Sequence, residues 1–444
     1  MSSLQRNDKA AAMKPNRAVR VDPSMVDRAW RVMPVGCNGE FNLPKSHSMV
    51  LDRGRGCLVW DAAGREFIDF SMGWGSALVG HARSEVVHAV VERAVQGSNF
   101  AHTNTASVPL AEELVRLSPA CQLVRFCASG TEATMYCMRL ARAYLERSAI
   151  LKFEGGYHGA NDEGTISVFP TGRTPFPMPE PTSAGVPHAD VLVAPFNDLE
   201  TTQAIVREHG DRVAAIIVEP FHRCLPPVRG FLEGLRELTL SRNILLIFDE
   251  VVTGFRLAYG GAQERYGVVP DLVAYGKALG GGMPIGAYGG RADIMELVRE
   301  DRLGHRGYVW TASTLGGNPV SCAAALAALG VYRRPGTYER LFALGEYFRE
   351  GLRRELVHSG HPGQVIGDGP LAQIVFSTES MVDSRSMLSA DRERGRAMML
   401  ALVEEGVFLN PMGTKLYLSL AHDEAVCDEF CRRLARVLAR LIKA

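Results

Sequence analysis

The sequence predicts an α/β fold built on a mostly parallel sheet, and three observations carry that expectation. Short apolar runs, among them "AAIIVEP", "ILLIFDE" and "DLVAYGK", alternate with longer amphipathic stretches such as "GTEATMYCMRLARAYLER" and "GFLEGLRELTLSR". That alternation is the rhythm of β-α units. Within the runs the apolar residues are continuous, as expected of strands covered on both faces. Several runs close abruptly on a charged residue, which in an open parallel sheet falls where ligands bind.

Taken in order, residues 1–24 begin "MSSLQRNDKAAAMKPNRAVR", charged but followed by no hydrophobic stretch, and are expected to be a mobile leader, not a signal peptide. Residues 25–70 are expected to pack with the C-terminal part of the chain as a smaller α+β domain. Residues 71–331 hold the alternating pattern and form the expected large domain. Inside it, "LVRFCASGTEATMYCM" predicts a strand, a tight turn at Ser129-Gly130-Thr131 and a helix opening with Glu132. Residues 170–187, "PTGRTPFPMPEPTSAGVP", are too rich in proline for a helix or a sheet interior and predict a long surface loop of the kind that borders a site. From about residue 332 the pattern changes. "GTYERLFALGEYFREGLRREL" predicts a helix with an apolar stripe and "GVFLNPMGTKLYLSLAH" a strand, a turn and a strand, so residues 332–444 complete the small domain.

The totals narrow the function. Across 444 residues, Lys plus Arg equals Asp plus Glu at 49 each, so nothing pulls toward nucleic acid or an anionic membrane, and a small ligand is the default. The nine cysteines include no C-x-x-C pair, which disfavours both a disulfide framework and a structural metal site and fits a cytoplasmic location. No apolar run reaches the length of a membrane span. Neither "GKALGGGMPIG" nor "GWGSALVG" has the G-x-G-x-x-G spacing of a dinucleotide site, and Walker A, H-E-x-x-H and G-x-S-x-G patterns are absent.

Three strand ends share one design. "AAIIVE" ends in Glu219, "LLIFDE" in Asp249 and Glu250, and "LVAYGK" in Lys277. A single charged residue there only steps out into water; a carboxylate and an amine converging on one apolar floor perturb each other, as active sites do. The Ser129-Gly130-Thr131 turn adds an anion site, because amides at a helix N-terminus hold phosphate. With Tyr157 and His158 from "KFEGGYHG", these are the parts needed for pyridoxal phosphate. Lys277 would condense with the aldehyde and later carry a proton at the substrate carbon. Asp249 would keep the pyridine nitrogen protonated. Tyr157 would cover one face of the ring and Val251, on the strand face of Asp249, the other. Glycines 280–282 let the chain turn away without a Cβ in the way.

These motifs, "FCASGTEATMYCMRLARAY", "KFEGGYHGA", "LLIFDEVVTGFRLAYGGAQERYGVVPDLVAYGKALGGGMPIGAYGGR" and "TLGGNP", closely resemble the class III aminotransferases, in the branch of glutamate-1-semialdehyde aminomutases and β-amino-acid aminotransferases. The resemblance runs from about residue 50 to 330 and returns in "GVFLNP...LYLSLAH". It implies a fold type I transferase with a seven-stranded sheet, and a homodimer with both sites at the subunit interface. Thr314 would reach the partner's phosphate, although the glycine the family places before it is Ser313 here. The family's aminomutases carry a serine and an arginine where this chain reads "GCNGEFNLP", with Gly39, Glu40 and Asn42, and a glutamate where Thr414 stands. Trp74 matches a tryptophan beside the substrate, and the short loop "EPFHRCLPPVRGF" brings His222 and Arg223 toward the pocket. The expected reaction is transfer of an amino group from an amino-acid donor to a carbonyl acceptor other than a simple α-keto acid, with a 2,1-aminomutase as the alternative.

Overall fold

The computed structural model describes residues 24–39, 42–186, 190–410 and 415–441. The expected leader lies outside it up to residue 23, as do Glu40 and Thr414; the first helix starts at Ser24.

The apolar runs do form strands. β1 (Leu51–Arg55), β2 (Leu58–Asp61) and β3 (Glu66–Asp69) come first, then β4 (Leu123–Cys127), β5 (Ala149–Phe153), β6 (Val191–Ala194), β7 (Val213–Val218), β8 (Leu245–Asp249), β9 (Leu272–Tyr275) and β10 (Gly286–Gly290). The last seven make one sheet in the order β4-β10-β9-β8-β7-β5-β6, parallel throughout except for β10, which pairs antiparallel with both neighbours. Every residue of β5, β7 and β8 is buried, as the unbroken apolar runs predict for strands covered on both faces. The strand order places the carboxyl ends of β4, β5, β7, β8 and β9 along one edge.

Four later strands, β11 (Gln364–Ile366), β12 (Leu371–Val375), β13 (Val407–Phe408) and β14 (Lys415–Tyr417), join two smaller sheets, β1-β2-β3-β13 and β11-β12-β14. "GVFLNPMGTKLYLSLAH" therefore holds two strands, but they are not partners. Val407 pairs in parallel with Ile68, whereas Leu416 pairs with Ala372. Phe70 bridges them: its N–H donates to Phe408 O and its carbonyl accepts from Tyr417 N. Each strand finds its apolar partner elsewhere, which outweighs the local hairpin. Beneath the sheets, Phe70 stacks on Phe348 at 5.1 Å and meets Phe430 at 4.6 Å, tying the N-terminal strands to the Thr337–Ser359 and Glu424–Leu441 helices.

Residues 170–186 form an irregular loop, as their proline content predicts. Among the described residues no helix is long and apolar enough to cross a membrane.

Candidate active site

A cavity of about 850 Å³ opens at the carboxyl edge of the seven-stranded sheet. Gly130, Thr131, Tyr157, Glu219, Asp249, Val251 and Lys277 line it, together with Trp74, His222 and Arg223. Lys277 lies two residues past β9 with φ of +44°, opening a short 3₁₀ turn that Gly281 ends at φ +57°. Burial pushes its amine below the ordinary lysine range, and Lys415 adds to this while Tyr417 and Asp249 oppose it.

Asp249, the last residue of β8, is buried and accepts a hydrogen bond from His158 Nδ1 at 2.8 Å. The other ring nitrogen of His158 is buried and has no partner among the described residues. Glu219 follows β7 and accepts from the Tyr157 N–H at 2.8 Å and the Arg223 N–H at 3.4 Å. Burial alone would raise its carboxyl, but Arg223, His222 and His158 hold it down to about 2. His222 is pulled down to about 4 by burial, which leaves it neutral at pH 7. Val251 lies beyond the end of β8, in the turn, not on the strand face of Asp249 as the spacing predicts. The strand stops at Asp249, whose carboxylate accepts the Val251 N–H at 3.1 Å and starts that turn.

The helix Gly130–Leu145 points its first turn at the same cavity. Ser129 caps it, its hydroxyl accepting from the Glu132 N–H at 3.2 Å, so the serine itself faces the helix and not the cavity. The Glu132 carboxylate accepts from the Ala128 N–H at 2.9 Å and from Ser313 Oγ at 2.8 Å. The serine that departs from the family pattern thus ties its loop to this helix. A Cβ on Gly130 would come within 2.8 Å of both methyls of Val251, so only glycine lets the helix end approach that wall. Thr314 is exposed and lines no part of this cavity; Trp310 and Leu315 beside it are 74% and 52% exposed.

Several residues that sequence reasoning passed over also shape the site. Lys152, buried on β5, donates to the carbonyls of Glu163, Gly164 and Ile166 and so holds the segment leading to Val168, Phe169 and Pro170 on the cavity rim. Glu154, just past β5, is buried and receives two bonds from Arg385, at 2.9 and 3.1 Å. Ser384 Oγ donates to the Glu154 carbonyl at 2.7 Å, and Arg385 lies 3.9 Å above the Phe176 ring. Lys415 and Tyr417 reach the cavity from β14, and Arg392 and Arg396 from the first turns of the Arg392–Glu404 helix. The alternation of Lys415, Leu416 and Tyr417 was the one signal that could have found the first pair.

An amine at a strand end, a buried carboxylate–imidazole pair and a helix N-terminus around one cavity define a class of enzyme that binds a phosphorylated aldehyde cofactor. Comparison with known proteins gives the family. The class-III aminotransferase family model matches residues 42–438, and the chain belongs to that family. A glutamate-1-semialdehyde 2,1-aminomutase of Thermomicrobium roseum is 40% identical over 95% of this chain and 98% of its own. Among solved structures, an omega-transaminase from Sphaerobacter thermophilus superposes with a TM-score of 0.88 at 35% identity, covering 94% of this chain and 97% of that one. A β-phenylalanine aminotransferase from Variovorax paradoxus gives 0.83 at 30%, covering 95% and 94%. The protein is a pyridoxal-phosphate-dependent enzyme with the fold type I architecture.

Proposed function

We propose that the protein is a transaminase moving an amino group from an amino-acid donor to a carbonyl acceptor other than a simple α-keto acid. The observation that carries this reading is the convergence of Lys277, the Asp249–His158 pair and the Gly130 helix end on one cavity. Bound there, pyridoxal phosphate supplies an aldehyde that holds the amine and a ring that accepts electrons as the substrate carbon loses a proton. Amides of Gly130 and Thr131, set by the Ser129 cap, would take the phosphate. Asp249, oriented by His158, would face the ring nitrogen, while Tyr157 and Val251 cover the two ring faces. Glu219 fixes the backbone of Tyr157. Lys277, its amine lowered below the ordinary lysine range by burial, would move the proton at the substrate carbon. Trp74, His222 and Arg223 border the space left for substrate, with Glu40 and Thr414 assigned to it from sequence alone. Thr314, with Trp310 and Leu315 exposed around it, suits a loop that reaches the phosphate of a second copy, so we take the working unit to be a homodimer.

The 40% identity to a protein named as an aminomutase supports a second reading, in which the amino group moves within one molecule. Against it stand Gly39, Glu40 and Asn42 in place of the serine and arginine of those enzymes. Adding amines singly to the purified, cofactor-loaded protein separates the two. Transamination converts the bound cofactor to its amine form, read by near-visible absorbance, and an added ketone reverses it. Isomerisation of a diamine or amino-aldehyde with no second substrate would favour the mutase, and a protein that takes up no cofactor would defeat both.

A further inference from the structure

One wall of the cavity lies outside the residues assigned above to the cofactor. Arg392, Gly395, Arg396 and Met399 line it, a spacing that puts them on one face of the Arg392–Glu404 helix, and Lys415 joins them from β14. Among the described residues no carboxylate forms an ion pair with these cations. Asp391 is used by its own helix, accepting from the Arg394 N–H at 2.9 Å and standing 3.4 Å from Arg394 Nε. Asp249 is bonded to His158, and Glu219 to the amides of Tyr157 and Arg223. Among the described residues Arg392, Arg396 and Lys415 form no ion pair; Arg396 donates only to the carbonyl of Asn42, at 2.6 Å.

Left alone, this arrangement is unfavourable. Like charges four residues apart on a helix repel, and a cation in the first turn opposes the helix dipole. An anion in the cavity would reverse both effects. A second observation points to a polar occupant: His222, 1% exposed and on the cavity wall, has neither ring nitrogen bonded among the described residues. Lys415 lines the same cavity as His222, Glu219 and Lys277, and its charge acts on all three.

We propose that the substrate of this cavity carries an anionic group, a carboxylate or a phosphate monoester, at the end remote from its reacting amine, and that Arg392, Arg396 and Lys415 hold it. The proposal rests on the transaminase reading. It makes the enzyme selective for amines with a charged tail, the tail being gripped by the small-domain wall and not by the segment "GCNGEFNLP", which contains no cation.

The test compares kcat/KM for 5-aminopentanoate, 3-aminopropyl phosphate and the neutral 1-aminopentane on the holoenzyme, alongside the affinity of glutarate and of inorganic phosphate measured by calorimetry. A charged tail should be preferred by about 10- to 100-fold, the worth of a hydrogen bond to a charged group, and whichever tail wins identifies the anion. Arg392→Gln with Arg396→Gln should remove most of that preference and weaken the anion's binding, and Lys415→Met should do so independently; melting curves and retained cofactor absorbance show that each variant is folded. Neutral and charged amines reacting equally well, or a preference unchanged in both variants, would overturn the proposal while leaving the transaminase reading intact. Anion binding lost in the variants, in a protein that processes no amine, would support the cation site and refute the transaminase reading.

Discussion

Replacing Arg385 by methionine removes the cation from a buried carboxylate while keeping an apolar side chain above the Phe176 ring. Glu154 is only 4% exposed and takes two bonds from Arg385, whose own side chain is 31% exposed. Breaking a fully buried pair costs about 3–5 kcal/mol, and partial exposure of the guanidinium reduces that to about 2–3 kcal/mol. Glu154→Gln alone should cost a similar amount, since it leaves the guanidinium half-satisfied. The double variant should be more stable than the sum of the two losses predicts, by about 1–2 kcal/mol, because neither charge is then stranded. Equilibrium urea unfolding of the four cofactor-loaded proteins gives this coupling. The loss also has an address. Ser384 and Met387, on the same segment as Arg385, line the cavity, and a Cβ on Gly155 would meet Ser384 Oγ at 1.8 Å, so this segment seats closely on the strand end that delivers Tyr157 and His158. The KM for amines should therefore rise in Arg385→Met. Strict additivity within about 0.5 kcal/mol would refute the idea that the pair clamps the two parts of the cavity together.

Three further outcomes are expected. Lys277→Ala should abolish turnover, and borohydride should no longer leave a reduced cofactor adduct on that peptide. Gly130→Ala should weaken cofactor retention, measured by absorbance after dialysis, because its methyl meets both methyls of Val251, and Val251→Ala on the same background should recover much of the loss. The Glu219 carboxyl, held at about 2 in the fold against the ordinary value of 4.5, stabilises the protein at neutral pH, fully above about pH 5 and less as pH falls toward 2. Glu219→Gln should accordingly be less stable at pH 7 by roughly 3 kcal/mol, a gap that closes on acidification in urea titrations at stepped pH.

How much of this was legible in the sequence depended on whether a residue announced itself within its own segment. The strands of the large sheet are unbroken apolar runs, and Asp249, Glu219 and Lys277 stand out because each interrupts one; the helix after Ser129 carries its own cap. Those features are local, and the structure brings them to one edge. Val251 was misplaced because a strand end cannot be fixed to the residue from an apolar run, and here the Asp249 carboxylate starts the turn early. The hidden residues are those whose meaning depends on distant partners. Nothing in "DSRSM" points to Glu154, and Arg392 and Arg396 look like solvated surface until the cavity they border, over the buried Gly395 and Met399, is seen. Lys152 opens the motif "KFEGGYHG", yet a buried lysine is recognised only by the three carbonyls it caps.

The parallel pairing of Val407 with Ile68 has a consequence for the birth of the molecule. On the ribosome β3 is made early, yet the strand that completes its sheet emerges only when most of the polypeptide has been synthesised. Until then its hydrogen-bonding edge is open, and contacts this far apart along the chain form slowly. The seven-stranded sheet needs no such late arrival, because all its strands lie between Leu123 and Gly290. Nascent chains halted before Val407 should hence carry a folded central sheet beside an N-terminal flank that still needs a chaperone.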